Sequence, residues 1–202
     1  MNRLEESRLD ALPPIDDINV VFINYSIENF SECFSKMENV TAMEYLMSRI
    51  EDSGIEYQYV FTGTGKTGEK RVQDYRMEKT ERRKRSRAPV SKMDARFISE
   101  FSSYLPEQNS PIYVSESTDM FASPELTAKL VGSSRRSIFL CGYFVESEIY
   151  HNLLSCINHG FIPYVISDAV STYSERIFYG ALDLLSQLGE VIDTRDMMKK
   201  WE

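Results

Sequence analysis

The chain predicts an α/β fold, a three-layer α/β/α sandwich with a mostly parallel sheet, and two observations carry that reading. Residues 137–169, SIFLCGYFVESEIYHNLLSCINHGFIPYVISDA, set two short apolar runs on either side of a segment with helical length and spacing. Strands joined through a helix must lie parallel, because a tight hairpin cannot reverse the chain across such a crossover. Apolar runs and helical patterns also alternate along most of the remaining sequence, the signature of a sheet covered on both faces.

Taken in order, residues 1–18 are polar, carry Pro13-Pro14 and read as an extended arm. Residues 19–202 then form one domain. Its first strand is Asn19 to Asn24 (NVVFIN). Ala42, Tyr45, Leu46, Arg49 and Ile50 recur at helical spacing, and Gly54 ends that helix. Ile55 to Phe61 is the second strand. From residue 62 to 88 the pattern is lost in a Gly/Thr segment followed by a charged excursion ending ERRKRSRAP.

Order returns at Lys92, where Met93, Phe97, Ile98, Phe101 and Leu105 space a helix closed by Pro106. Ile112 to Val114 is a short strand. Ser123-Pro124-Glu125 has the form of an N-cap with proline in the first turn, opening a helix to Leu130 that ends near Gly132. The unit at 137–169 follows, with strands Ser137 to Cys141 and Ile162 to Ile166 around a helix from Glu146 to Asn158. A last helix, Ser174 to Leu188, leads through Gly189 to the strand Glu190 to Asp193.

Composition narrows the function classes. The 202 residues are 42% hydrophobic and 12% aromatic, enough for one sizeable core. A net charge of -8 argues against nucleic acid as the main partner, since a phosphate backbone calls for a basic face. No apolar run is long enough to span a membrane, and MNRLEESRLDALPP lacks the apolar centre of a signal peptide, so a soluble, cytoplasmic protein is expected. Cys33, Cys141 and Cys156 show no metal-type pairing and are expected to be reduced thiols. His151 and His159 have no partner at ligand spacing, so no metal and no cofactor is expected. Met43, Met47, Met93 and Met120 fall on apolar faces and read as core.

These residues resemble the isochorismatase-like hydrolases, a superfamily of Rossmann-like fold that includes nicotinamidases, N-carbamoyl-amidohydrolases and vinyl-ether hydrolases. LCGYFVESEI matches the family's Cys-Gly turn, and NHGFIPYVISDAVSTYSERIFYGALDLL its Gly-aromatic strand with an Asp-Ala end. GEVIDT matches its Gly-x-Val-x-x-Thr close. VVFIN with Phe30 looks like the opening strand, and Phe121-Ala122-Ser123-Pro124-Glu125-Leu126 like the Phe-x-Gly-Thr-x-Leu segment. Residues 62–88 have no counterpart.

The resemblance implies a triad of Asp, Lys and Cys, in which the Cys thiolate attacks an amide-like carbon. Carried over by position, the Asp falls on Asn24, or on Tyr25 if Phe30 is held fixed. The Lys falls on Ser115 and the Cys on Glu148, so none of the three is retained. The family's cis peptide falls at Tyr143-Phe144, where two bulky aromatics replace small residues. With Tyr25 and Phe121, these two are expected to line what remains of the ligand pocket.

Two functions follow. One is a non-hydrolytic pseudoenzyme that binds a small ligand or a protein. The alternative is a hydrolase of an isochorismate-like vinyl ether, with Glu148, or Glu146, raised in pKa by burial and acting as general acid. A first-turn glutamate that only favours the helix dipole is the structural counterpart of that second reading. Asp168 is expected to end its strand in a structural role. Gly63-Thr64-Gly65-Lys66-Thr67 lacks the earlier glycine of a phosphate loop, since that position is Val60. Arg82, Arg83, Lys84, Arg85 and Arg87 suit an acidic partner surface better than DNA. The family further implies a homo-oligomer.

Overall fold

The computed structural model describes residues 12–63, 92–107 and 110–201. The basic run Arg82 to Arg87, the Gly-Lys-Thr segment from Thr64 onward and the Met93 side chain lie outside the described residues.

Six strands form one sheet: β1 (Ile18–Ile23), β2 (Glu56–Phe61), β3 (Ile112–Val114), β4 (Ser137–Tyr143), β5 (Ile162–Ser171) and β6 (Glu190–Ile192). Their order is β3-β2-β1-β4-β5-β6, and every neighbouring pair is parallel. β1 and β4 are buried along their whole length, as central parallel strands must be when helices cover both faces.

On one face, helices α1 (Ile27–Glu32), α2 (Lys36–Ser53) and α3 (Lys92–Phe101) contribute Phe30, Met43, Leu46 and Phe101 to a core shared with Val20, Phe22 and Phe139. On the other, α4 (Pro124–Gly132), α5 (Tyr150–Asn158) and α6 (Glu175–Leu185) bring Leu126, Leu130, Leu153 and Leu185 against Val21, Ile23 and Leu140. Alternate residues of one strand therefore belong to different cores, the period of two that a pleated strand imposes. The last helix, α7 (Thr194–Trp201), returns to the first face, where Met197 and Trp201 pack.

Punctuation follows the residues expected to supply it. Gly54 closes α2 in the left-handed region at φ 62°, its N–H donating to the Ile50 carbonyl at 3.1 Å. Pro124 sits in the first turn of α4, but the Ser123 hydroxyl makes no cap and instead lies 3.4 Å from Glu125 Oε2.

Helices α1 and α7 have no counterpart in the sequence expectation, and two further elements depart from it. The segment after β4 is not one α-helix from Glu146: Val145–Ile149 forms a single π turn, with the Ile149 N–H reaching back to the Phe144 carbonyl, and the α-helix begins at Tyr150. β5 does not end at Ile166 but continues to Ser171. Leu140 pairs with Val165 and Gly142 with Val170, so β5 spends three extra residues against β4 in a bulge. Asp168 therefore lies within a bulged strand and not at a strand end. The expectation failed because Ser167-Asp168 interrupts the apolar run, and a polar pair inside a strand reads as its terminus.

Candidate functional site

The strand order reverses between β1 and β4, and in an open parallel sheet the crevice beyond the carboxyl ends of those two strands is where ligands bind. The backbone is unusual on both sides of it. Asn24, the first residue after β1, adopts φ 54°, a left-handed conformation that asparagine tolerates better than most side chains. Gly142 has φ 125°, and a Cβ there would lie 2.0 Å from the Ile23 carbonyl oxygen, so only glycine lets the two strands approach this closely. The peptide bond between Tyr143 and Phe144 is cis, at the position the resemblance indicates.

Asn24 is held by the end of β2. Its Oδ1 accepts from the Thr62 N–H at 2.8 Å, its Nδ2 donates to Thr62 Oγ1 at 3.1 Å, and its backbone N–H donates to the Val60 carbonyl at 2.9 Å. Ser115 follows β3 and is wholly buried. Its hydroxyl reaches the carbonyls of Asp119 at 2.6 Å and Ser117 at 3.1 Å, which closes a tight loop.

Glu148 lies in the π turn. Its Oε2 accepts from the Phe144 N–H at 3.3 Å and from the Ser147 hydroxyl. A backbone N–H and a hydroxyl directed at one oxygen make a small anion-holding arrangement, and here the chain's own carboxylate fills it.

The four residues expected to line a pocket are not brought together. Tyr25 and Tyr143 are buried on the first face, with ring centres 5.2 Å apart, among Phe30 and Phe101. The Tyr25 hydroxyl meets Met43 Sδ at 2.9 Å and the Ala169 carbonyl at 3.2 Å, and the Tyr143 hydroxyl donates to Asn39 Oδ1 at 2.7 Å. Phe144 is half-buried beside them. Phe121 belongs to the opposite core, stacked on His159 at 4.0 Å and on Phe161 at 5.8 Å. The cause is the pleat: side chains from one strand end alternate across the sheet, and Phe121 arrives in a 3₁₀ turn on the α4 side.

Sequence reasoning missed the residues that hold this region in place. Asn39, fully buried on α2, donates from Nδ2 to the carbonyls of Asp168 at 2.8 Å and Val170 at 3.2 Å, pinning the β5 bulge while it accepts from Tyr143. Asn152, fully buried on α5, accepts from the Met120 N–H at 2.7 Å and donates to the carbonyls of Glu148 at 2.8 Å and Thr118 at 3.0 Å. It thereby ties the π turn to the loop after Ser115. The available signal was a polar amide on each apolar stripe, Asn39 one turn before Met43 and Asn152 between Ile149 and Cys156.

Asp168 accepts from the Thr194 N–H at 3.2 Å and from the Thr194 hydroxyl, and burial still holds its carboxyl above the usual range. All three cysteines are buried. Burial pushes Cys33 up to about 12 and raises Cys141 and Cys156 as well. Among the described residues no group of three or more His, Cys, Asp or Glu side chains is placed to hold a metal ion, and no helix is long and apolar enough to cross a membrane.

A family model described as an isochorismatase domain matches residues 20–196. No curated protein matches the sequence. Among solved structures, a cysteine hydrolase from Pseudomonas syringae pv. phaseolicola 1448A is similar with a TM-score of 0.67 at 11% identity, over 93% of each chain. An isochorismatase-like hydrolase from Alkaliphilus metalliredigens gives 0.63 at 14%, over 92% of this chain and 100% of its own. The YcaC gene product from Escherichia coli, described as an octameric hydrolase of unknown specificity, gives 0.62 at 14%, over 92% and 79%. At such identities the likeness is one of fold.

Proposed function

Because the chain belongs to the isochorismatase family, we propose that it keeps the family's fold and crevice but not cysteine hydrolysis, and that it works by binding a small ligand or a protein. The observation that carries this reading is the Glu148 carboxylate, which accepts from the Phe144 N–H and the Ser147 hydroxyl at the turn where the family presents its nucleophile. A carboxylate is a far weaker nucleophile toward an amide than a thiolate, and it occupies the donors that would otherwise face a substrate oxyanion.

The surroundings support the same reading. The amide of Asn24 cannot move a proton as a carboxylate would, and both its polar atoms are engaged by Thr62. Ser115 supplies no charge, and its hydroxyl is engaged by two carbonyls. No thiol replaces the missing one, since burial holds all three cysteines in the protonated form.

The test is turnover by the purified chain of isochorismate, nicotinamide and a simple N-carbamoyl amide, each with Glu148→Gln in parallel. The expected result is no turnover above the uncatalysed rate for either protein. Turnover of isochorismate that Glu148→Gln abolishes would overturn the reading and make Glu148 a general acid. For assembly we propose a homo-oligomer, by analogy with the octameric YcaC product. Light scattering on the eluting protein tests it, and a mass of 23.4 kDa would refute it.

A further inference from the structure

A second feature lies away from the β1–β4 crevice and does not depend on what the Glu148 turn does. Between α2, α6 and α7, beside the β5 bulge at Ser167-Asp168 and the end of β6, the surface opens into a groove of about 950 Å³. An adjoining cavity of about 380 Å³ shares Ser167, Leu182 and Asp193 with it, so the two form one track.

The walls are aromatic: Phe34, Tyr45, Phe178 and Tyr179 line the larger part, and Phe34 and Tyr179 are 39% and 57% exposed. The charges are mostly acidic, although Asp196 already pairs with Lys199 at 3.9 Å. Glu38, Glu44 and Asp193 line the larger part with Asp168 between the elements, and Asp183, Glu190 and Asp196 line the smaller. Among the residues lining either cavity, Arg195 alone is basic. The chain already lays one of its own guanidinium groups on this wall, with Arg49 Cζ 5.5 Å from the Tyr45 ring centre.

We propose that this groove binds an extended basic peptide segment of a partner protein, in which Arg or Lys alternates with apolar residues. Alternation follows from the geometry of an extended chain, whose successive side chains point to opposite sides, so one set can meet carboxylates and ring faces while the other packs on Phe34 and Phe178. A second copy of this chain does not fit: a two-fold interface would set this acidic patch against the same acidic patch, in a protein already at -8. A single small molecule would leave much of the track unused. The larger cavity alone reaches the top of the range for small-molecule clefts, about 300–1,000 Å³, and the smaller one continues it.

The test uses the full chain and a fluorescein-labelled nonapeptide alternating arginine with leucine, read by fluorescence anisotropy. Binding is expected to weaken as salt rises from about 50 mM to about 200 mM. Glu44→Lys and Tyr179→Ala should each weaken it about tenfold. Glu51→Lys, an equal charge reversal on α2 outside the groove, should leave it unchanged. Thermal melts confirm that the variants fold, and Glu44→Gln replaces Glu44→Lys if the latter does not. The proposal is overturned if the peptide does not bind, if Glu51→Lys weakens binding as much as Glu44→Lys, or if spermine or an arginine-glycine peptide binds as tightly. It is also overturned if the groove substitutions change the oligomeric mass and leave binding intact.

Discussion

Tyr143→Phe tests whether the aromatics at the crevice are structural filling or a ligand-binding wall. The ring would remain packed against Tyr25, Phe30 and Phe101. Only the hydroxyl is lost, and with it the 2.7 Å bond to Asn39 Oδ1. Asn39 is completely buried, so its oxygen would keep no donor and no water, a cost of about 1–3 kcal/mol. At about 2–4 °C per kcal/mol for a chain of this length, the melting temperature should fall by roughly 2–12 °C. Asn39→Ala also withdraws a donor from the Asp168 and Val170 carbonyls and should cost about 3–5 kcal/mol. The double variant should cost less than the sum of the two, by about 1–2 kcal/mol, because each single change strands the partner the other removes. Urea unfolding of all four proteins measures the cycle. If Tyr143→Phe is neutral to within about 0.5 kcal/mol and the two changes are additive, the hydroxyl does not anchor this core and the structural account of Tyr143 fails.

Two further outcomes follow from burial. The Asp168 carboxyl is held above its ordinary range by burial, so the native state binds its proton more tightly than the unfolded chain does. The stability this supplies is complete below the unfolded pKa of about 3.9 and is lost as pH rises through the higher native value. Asp168→Asn keeps an acceptor for Thr194, so urea midpoints from about pH 4 to 7 should decline less steeply with pH than in the parent; an identical slope would refute this. All three thiols are buried, and Cys33 is pushed up to about 12, so native protein at about pH 7 should react with no equivalents of an aromatic disulfide reagent, and unfolded protein with three. Rapid labelling of any cysteine in the native state would refute the claim that the chain holds no competent thiol.

Sequence carried the fold well, because parallel strands buried on both faces are continuous apolar runs and the crossover helices are amphipathic at standard spacing. NVVFIN and SIFLC are read as strands on that ground, and β1 and β4, which take up Asn19 to Ile23 and Ser137 to Cys141, are buried throughout. It also marked the turn at the candidate site, since the Cys-Gly pair falls where β4 ends. The contents of the site were less legible. That Asn24 engages Thr62, and that Phe121 faces the opposite core from Tyr143, depend on which side of the pleat each residue takes after its strand has ended, and no periodicity extends there. The π turn was hidden for a related reason. Val145 to Ile149 has ordinary helix-forming residues, and only the extra residue in the backbone ring separates it from an α turn.

The bulge in β5 connects the crevice and the groove. By spending three extra residues against β4, it carries Asp168 outward to the Thr194 N-terminus of α7, where the carboxylate forms part of the groove. The Asp168 and Val170 carbonyls meanwhile turn toward α2, where Asn39 takes both and passes a third bond to Tyr143 at the crevice. One buried asparagine thus joins the strand that shapes the groove to the buried aromatic at the end of β4. Loosening it should disturb both, whereas a substitution on the groove wall such as Tyr179→Ala touches neither Asn39 nor Tyr143. If the crevice has given up chemistry, the bulge no longer has to hold a reacting geometry there, yet the buried bonds at Asn39 still require it to keep its shape. That requirement preserves the acidic, aromatic surface on its outer side, so the groove keeps its shape whether or not the Glu148 turn carries chemistry.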